Sequence, residues 1–506
     1  MKMKERWFNF RPLCLVFGFL LLGSVFSFFI MRRVAITLIF SAVVLAILIV
    51  IAILKKKIVY LLVPMLAFIV GICAYNLSVL SFNKSVDSAP NIIEARIYNV
   101  SNEKNGVICV EADSCIFDGK KNNDNIIIYI YDNDGLFEHI DVGSVIKFKP
   151  YRFYKSDLFN YETPNSRLYA NDLKYTVSAR IDDVQYIKTD KTFSEHIKEK
   201  INENLSKGLT NENTEIAFSA LFGDKDLLSD KQYSVYKLSG VAHLLAVSGL
   251  HVGIIVAIFN AICKLFKVKK WYKFGLISIF LLFYIYICGY SVSVIRASVM
   301  SLIFMLACLL GREYDPFNSI SIAGILIYII NPLCIFDVSF LLSFSCAIGI
   351  TMLYAPIYAV VSKSKMPKKI GQSVSISLAT TISIVFIMAY YFKTLNIISI
   401  LSNVILIPIF TIGFTAVFVL SLMSLFFPCI TYLLYPINYI FDFINLVATT
   451  LGNLSISNFN TIEFNFIAIV IYFVLLLFMG RFCTAKYQYK IISTLPILAI
   501  LFYCLL

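Results

Sequence analysis

Two of the four histidines in this 506-residue chain lie eight positions apart in His243-Leu244-Leu245-Ala246-Val247-Ser248-Gly249-Leu250-His251-Val252-Gly253, where a long apolar stretch begins. If 243 to 251 is helical at about 100° per residue, His243, Ser248 and His251 share one broad face. Imidazoles and a hydroxyl on such a face can hydrogen-bond an anion or pass a proton. Gly249 and Gly253, four apart, would let a second helix or a polyanion approach the backbone. Ser248 and His251 also have the spacing of a nucleophile and its base. Farther on, Arg296, Asp337, Ser343 and Asn403 interrupt other apolar stretches. Ionisable groups at such depth are costly, so they either line a pathway or pair with each other, as Arg296 and Asp337 could. For the histidines, interhelical packing stands beside the pathway reading.

The elements that must position these groups are membrane spans. Hydrophobic residues make up 59% of the chain and charged residues 15%, a balance that excludes an ordinary water-soluble domain. Runs near 11 to 30, 34 to 54 and 58 to 80 each approach the roughly 20 residues a bilayer core requires. The first lacks a small-residue cleavage site and precedes two more spans, so it reads as retained rather than as a signal peptide. Ten more runs follow near 242–266, 274–291, 294–311, 317–331, 335–358, 372–392, 398–427, 430–453, 464–480 and 491–506. Asn403 and Pro408 mark the 398–453 region as one that could hold a re-entrant segment, because a proline inside a span invites a break. The net charge of +13 is read first through the positive-inside rule. The basic loops Lys55–Lys57, Lys264–Lys273, Arg312, Lys363–Lys369 and Arg481–Lys490 then lie in the cytoplasm with the N-terminus, and 85–240 lies outside.

Residues 85–190 have a different character. Short β-rich runs (92–100, 106–112, 125–131, 144–148 and 175–181), broken by Asn, Asp and Gly, predict a small all-β barrel or sandwich. Cys109 and Cys115 are its only cysteines; outside the membrane a disulfide between them and two free thiols are both open. The twelve cysteines include no C-x-x-C pair, so no structural zinc site is expected. Lys147-Phe148-Lys149-Pro150-Tyr151-Arg152-Phe153 interleaves cations with aromatics, as single-strand-binding surfaces do. A solvated strand end with core aromatics explains the same residues, and acidic residues outnumber basic ones over 91–190, which argues against general electrostatic capture. Over 191–240, Phe193, Ile197, Ile201 and Leu205 form the apolar stripe of an amphipathic, interfacial helix. Ser229-Asp230-Lys231-Gln232 has the form of a capping box for a helix ending at Gly240.

Several separated motifs carry a family resemblance. Ala220-Leu221-Phe222-Gly223-Asp224, Leu238-Ser239-Gly240 and the stretch from His243 to Gly253 are followed in order by Arg296-Ala297 with Met300. Then come Asn331-Pro332-Leu333 leading to Asp337, Ser339-Phe340-Leu341-Leu342-Ser343-Phe344, and Ser402-Asn403 with Pro408. In order and spacing, over roughly 215–415, this resembles the ComEC competence proteins, and Phe159-Asn160-Tyr161 through Arg167-Leu168-Tyr169 resembles the segment closing that family's external OB-like domain. Leu341 stands where the family often has glutamine. Many members also carry a C-terminal metallo-β-lactamase-like domain; no H-x-H-x-D-H cluster exists among the four histidines here, so the expected nuclease is a separate protein.

The reading is therefore a polytopic α-helical membrane protein of about 10 to 13 spans with an inserted extracytoplasmic OB-like β-barrel. N-terminal transmembrane helices occupy 1–84, the OB-like domain 85–190, interfacial helices 191–240 and a competence-type channel domain 241–506. The expected function is a cell-membrane channel that passes single-stranded transforming DNA into the cytoplasm, with no cofactor and no reaction of its own. His243, Ser248, Gly249, His251, Gly253, Arg296, Asp337, Ser343 and Asn403 would lie along the path. The resemblance implies a surface DNA receptor, a separate nuclease and a cytoplasmic motor ATPase as partners, and leaves homo-oligomerisation open. Two rivals stand beside it: an intramembrane serine hydrolase using Ser248 with His251 or His243, and an exporter of a small molecule or polymer, which shares broken helices and midplane polar groups with channels.

Overall fold

Between Ile93 and Thr189 the β-branched runs become eight strands: β1 (Ile93–Lys104), β2 (Val107–Phe117), β3 (Lys120–Lys121), β4 (Asn125–Tyr131), β5 (Ser144–Phe148), β6 (Arg152–Lys155), β7 (Leu173–Arg180) and β8 (Val184–Thr189). The computed structural model describes residues 12–30, 59–83, 89–104, 107–122, 124–131, 142–155, 173–224, 227–454 and 458–460. The expected spans near 34–54, 464–480 and 491–506, the basic N-terminal residues and the 159–169 segment lie outside the described residues. The chain divides into two compact units, one of residues 15–200 with 325–337, the other of 1–14, 201–324 and 338–506.

In the first unit, strand alternation builds the core. Ser144, Ile146 and Phe148 of β5 face inward, as do Tyr175, Val177 and Ala179 of β7, joining Ile97, Val110 and Ile128. The sheet order is β6-β7-β4-β2-β1-β5-β8, with β3 paired to β2, and only β4 and β7 run parallel. The described pairings do not join β6 to β8, so the expected barrel is here an eight-stranded sheet, its closure not among the described contacts. Asp118 (φ 47°) and Gly119 (φ 79°) turn β2 into β3, both left-handed as a two-residue hairpin requires. Neither Cys109 nor Cys115 is in a disulfide, and Cys115 is buried. Six residues apart on one strand, β2, they stand roughly 20 Å apart, far beyond the reach of a disulfide; the pairing is ruled out.

Arg96 of β1 ties this sheet to helix α3 (Phe193–Ser206), taking its label after α1 (Pro12–Ile30) and α2 (Val59–Asn83). Its guanidinium donates to both oxygens of Glu195 at 2.6 and 2.7 Å, to Asp113, and to the Asp190 carbonyl at 2.9 Å. Of the α3 stripe, Ile201 and Leu205 are buried while Phe193 is 64% exposed. In the same unit α1 meets α2 at Gly23 and Gly71, where a methyl on either would collide with main-chain atoms of the other helix. Asn76 donates to Ser27 at 2.8 Å across that contact.

The second unit is helical: α4 (Asn211–Phe222), α5 (Asp230–Leu238), α6 (Gly249–Leu265), α7 (Lys270–Ile287), α8 (Val292–Leu310), α9 (Pro316–Ile330, shared between the units), α10 (Val338–Val361), α11 (Lys368–Phe392), α12 (Ser399–Ser424) and α13 (Ile437–Gly452). The Ser229–Gln232 capping box opens α5, and Gly240 follows at φ 75°. Six described helices, α2, α7, α8, α10, α11 and α12, are long and apolar enough to cross a membrane, and α1, α6 and α9 are shorter apolar helices. A mostly helical fold of this kind fits a polytopic membrane protein.

The expected break at Pro408 does not occur, since α12 runs unbroken through it. One proline removes one hydrogen bond, which the flanking turns of an apolar helix absorb. The chain breaks later, where Pro428 and Pro436 bracket a short 3-10 turn; Pro428–Leu434 and α13 are bent by 41°, the geometry of a broken span or a re-entrant loop. Asn213 of α4, fully buried, donates to Asn438 at 3.0 Å and Asp442 at 2.8 Å, and Tyr236 donates to Asn445 at 2.6 Å. One face of α13 is thereby fastened to α4 and α5.

Candidate functional site

The histidine stretch is not one helix. Ala242–Leu244 forms a 3-10 turn, residues 245–248 are irregular, and α6 begins at Gly249 with Ser248 as its N-cap. His243 is thus off the α6 face that an unbroken helix would have given it, and it is exposed. The break follows from local hydrogen bonding. Ser248 Oγ accepts from the Leu250 N–H at 3.3 Å, while the Ser248 N–H donates to His251 Nδ1 at 3.0 Å. This is a capping box with histidine in the place glutamate or glutamine usually holds. Ser248 Oγ also lies 2.9 Å from Nδ1. His251 is fully buried, edge-on to Phe410 and Phe414 of α12 with ring centroids 5.4 and 4.5 Å away. Its buried Nε2 has no hydrogen-bond partner among the described residues.

Arg296 of α8 approaches the same helix start. A methyl on Gly249 would sit 3.5 Å from Arg296 Nη2, whereas one on Gly253 would meet nothing within 4 Å. Among the described residues the glycine pair therefore marks no close helix approach: nothing faces Gly253, and a methyl at Gly249 would make only ordinary contact with Arg296 and Ala297. Arg296 Nε donates to Ser343 Oγ of α10 at 2.6 Å, Nη1 lies 3.6 Å from Met300 Sδ, and the guanidinium carbon stands 6.0 Å from the Phe344 ring centre. Among the described ion pairs none involves Arg296. Its recorded partners are a hydroxyl, a thioether and a ring, none of them a carboxylate. A helix N-terminus and an arginine side by side both favour negative charge.

The remaining predicted path residues divide. Ser343 joins Arg296. Asn403 of α12 donates to Ser377 of α11 at 3.2 Å, leaving its buried Oδ1 without a partner, as is Ser298 Oγ on α8. Asp337 is buried after the 3-10 turn Pro332–Phe336 and belongs to the first unit, whereas Arg296 belongs to the second. Among the described residues no group of three His, Cys, Asp or Glu is placed to hold a metal ion.

In the β domain the cation–aromatic run also divides. Lys147 pairs with Glu94 at 2.7 Å, Phe148 is in the core, and Phe153 packs on Phe117 and Tyr175. Alternation forces this outcome: every second residue of a strand faces inward, and the β1–β5 register sets Glu94 opposite Lys147. Lys149, Tyr151 and Arg152 remain exposed. Tyr151 and Arg152 line a pocket of about 330 Å³ together with Tyr131, Ser178, Arg180 and Asp182. The guanidinium carbons of Arg180 and Arg152 stand 4.7 and 5.5 Å from the Tyr151 ring centre. Tyr131 and Arg180 are absent from the sequence-based site; the parallel β4–β7 pairing sets them opposite each other. Their one sequence signal is that both end strands with a large polar side chain.

The family model described as "Competence protein" matches residues 220–486, more than half of the chain. The chain belongs to this family. Over 200 residues it is 30% identical to ComE operon protein 3 of Bacillus subtilis, a match covering 40% of this chain and 25% of that protein. Over 141 residues it is 29% identical to Recombination protein 2 of Haemophilus influenzae, covering 26% of this chain and 18% of that protein. The chain thus spans about a quarter or less of the length of these curated relatives. No solved structure matches it. The family region contains Ser248, His251, Arg296, Ser343 and Asn403, whereas the β-domain pocket lies before it.

Proposed function

We propose that this protein takes up DNA for transformation by passing a single strand through its helical region, while the β domain, outside the cell membrane, gathers the strand. The observation that carries this reading is Arg296. Placing an arginine at membrane depth costs about 3 kcal/mol or more, and a serine hydroxyl offsets only part of that. Beside the N-terminus of α6, the guanidinium suits a phosphate that arrives and leaves. A permanent carboxylate would neutralise the site, and many cations would trap the strand, since conduction needs release as well as entry. The buried, unpartnered Ser298 Oγ and Asn403 Oδ1 are compatible with such a polar path.

The chain itself is proposed to catalyse no reaction. The Ser248–His251 contact favours a hydrolase, yet Ser248 is spent capping α6 and, among the described residues, no carboxylate orients Nε2. A serine-directed probe that labels the wild type and not Ser248→Ala would reverse this. A surface receptor, a separate nuclease and a motor ATPase are the partners proposed with it.

The test is nuclease-resistant uptake of labelled DNA in cells carrying wild type, Arg296→Gln, Arg296→Lys or no copy, with membrane levels matched. Loss in Arg296→Gln and in the deletion strain, with surface binding intact and partial recovery in Arg296→Lys, is the expected result. Normal uptake in the deletion strain overturns the function; normal uptake in Arg296→Gln alone removes Arg296 from the path.

A further inference from the structure

The turn between α6 and α7 combines three features that the DNA reading does not use. Lys264, Lys267, Lys269, Lys270 and Lys273 fall within ten residues that contain no acid, and none of the five is in a described ion pair. Lys264, Lys267 and Lys273 line one pocket of about 360 Å³ with Asn260, Cys263 and Val268. Lys267 sits in the left-handed region at φ 52°, just past the C-terminus of α6, where glycine is the usual occupant. A lysine kept in a glycine position, beside two others in one cavity, concentrates positive charge that a bound anion would offset.

The surroundings identify the kind of anion. Leu265 is 77% exposed, Phe266 73%, Trp271 64% and Tyr272 72%. Trp and Tyr favour the headgroup level of a bilayer, and exposed Leu and Phe beside them favour its acyl boundary. A pocket serving only a strand in water would have no use for that apolar collar. Basic pockets at the membrane surface suit anionic lipid headgroups.

We propose that this pocket binds the phosphodiester headgroup of an anionic membrane lipid, with Lys264, Lys267 and Lys273 as its counter-charges and Trp271 and Tyr272 in the interface around it. The inference does not depend on what crosses the membrane. Arg296 is not part of it.

The full chain, purified in mild detergent with phosphatidylglycerol or phosphatidylcholine added, is examined by native mass spectrometry for retained lipid. Wild type is expected to retain phosphatidylglycerol several-fold better than phosphatidylcholine. The triple variant Lys264→Gln/Lys267→Gln/Lys273→Gln is expected to lose at least fivefold of the phosphatidylglycerol, and a control removing equal charge at Lys363, Lys365 and Lys369 to lose none. Should the triple variant fail to fold, Lys267→Gly decides: it relieves the backbone while deleting one charge, so retention should fall with the thermal midpoint unchanged or raised. Equal retention of the two lipids by wild type overturns the proposal, as does equal loss in the control. Displacement of the lipid by inorganic phosphate would make this a free-phosphate site, and displacement by a single-stranded 15-mer a strand-exit site; either result overturns it.

Discussion

Arg96 and Arg296 carry the same guanidinium in opposite surroundings. Arg96, in the β domain, is held by Glu195, Asp113 and a backbone carbonyl, so it is a structural tie with nothing left to offer a ligand. Burial opposes its charge, but the two carboxylates prevail and hold its pKa above the ordinary arginine value. Arg296, among helices, is held by a hydroxyl and a thioether and lies beside a helix N-terminus. A buried cation given carboxylates is already neutralised, whereas one given a hydroxyl and a thioether is not, so partner chemistry rather than charge count or burial separates the two surroundings.

That contrast between a packed β interior and a helical region with unpartnered buried polar atoms can be broken at several points. The largest effect is expected at Cys115, whose thiol burial pushes up to about 12, with Asp113 and Asp124 adding to the rise. Because only the thiolate reacts, iodoacetamide at pH 8 should modify Cys115 about a thousandfold more slowly than an ordinary exposed thiol, with an unstructured cysteine peptide as the standard, scored by peptide mass spectrometry. The rate should climb as pH rises toward 12; equal rates at pH 8 would show that the sheet opens readily. Next, Arg96→Met strands two carboxylates and should cost about 3 kcal/mol, read as roughly 100-fold faster hydrogen exchange in β1 and α3. Arg296→Gln should leave exchange nearly unchanged and lower DNA internalisation by about 30-fold, the scale of one or two charge-assisted hydrogen bonds. If the two arginines gave the same pattern, the distinction between them would fail.

Smaller effects sharpen the picture in the β domain. Tyr151→Ala should weaken binding of a single-stranded oligonucleotide about tenfold, since one aromatic contact is worth roughly 1–3 kcal/mol. Lys147→Ala should change it less than about twofold, because a half-exposed pair with Glu94 contributes little and is already internal. Fluorescence anisotropy measures both, and a larger loss at Lys147 than at Tyr151 would restore the original linear reading of that segment.

How far the sequence reached depends on the kind of pattern involved. The runs 125–131 and 144–148 match β4 and β5 because alternation over a half-buried sheet is a local property. The edge strand β6 escaped because four residues, mostly exposed, carry little alternation. The apolar spans were legible from composition, but the break before α6 was not: Leu244 to Val247 continues the hydrophobic run, and a histidine at the third helical position is outside the usual capping signature. Arg296 was visible as an anomaly in an apolar stretch. Its partner Ser343 stands out in the sequence as a polar residue in another apolar stretch, yet no sequence rule joins positions 47 apart. The Tyr131–Arg180 face depends on a parallel register between β4 and β7, which is fixed only once the whole sheet assembles.

The polar side chains along one face of α13 have a consequence for mechanics. Asn438, Asp442 and Asn445 recur at helical spacing and engage Asn213 and Tyr236 through hydrogen bonds that have to break before the helix can slide by even one residue. An apolar seam would tolerate such sliding, because one methyl replaces another at little loss; a toothed seam does not. The segment after the Pro428–Pro436 break is thereby keyed to a single depth, behaving as a detent rather than a piston.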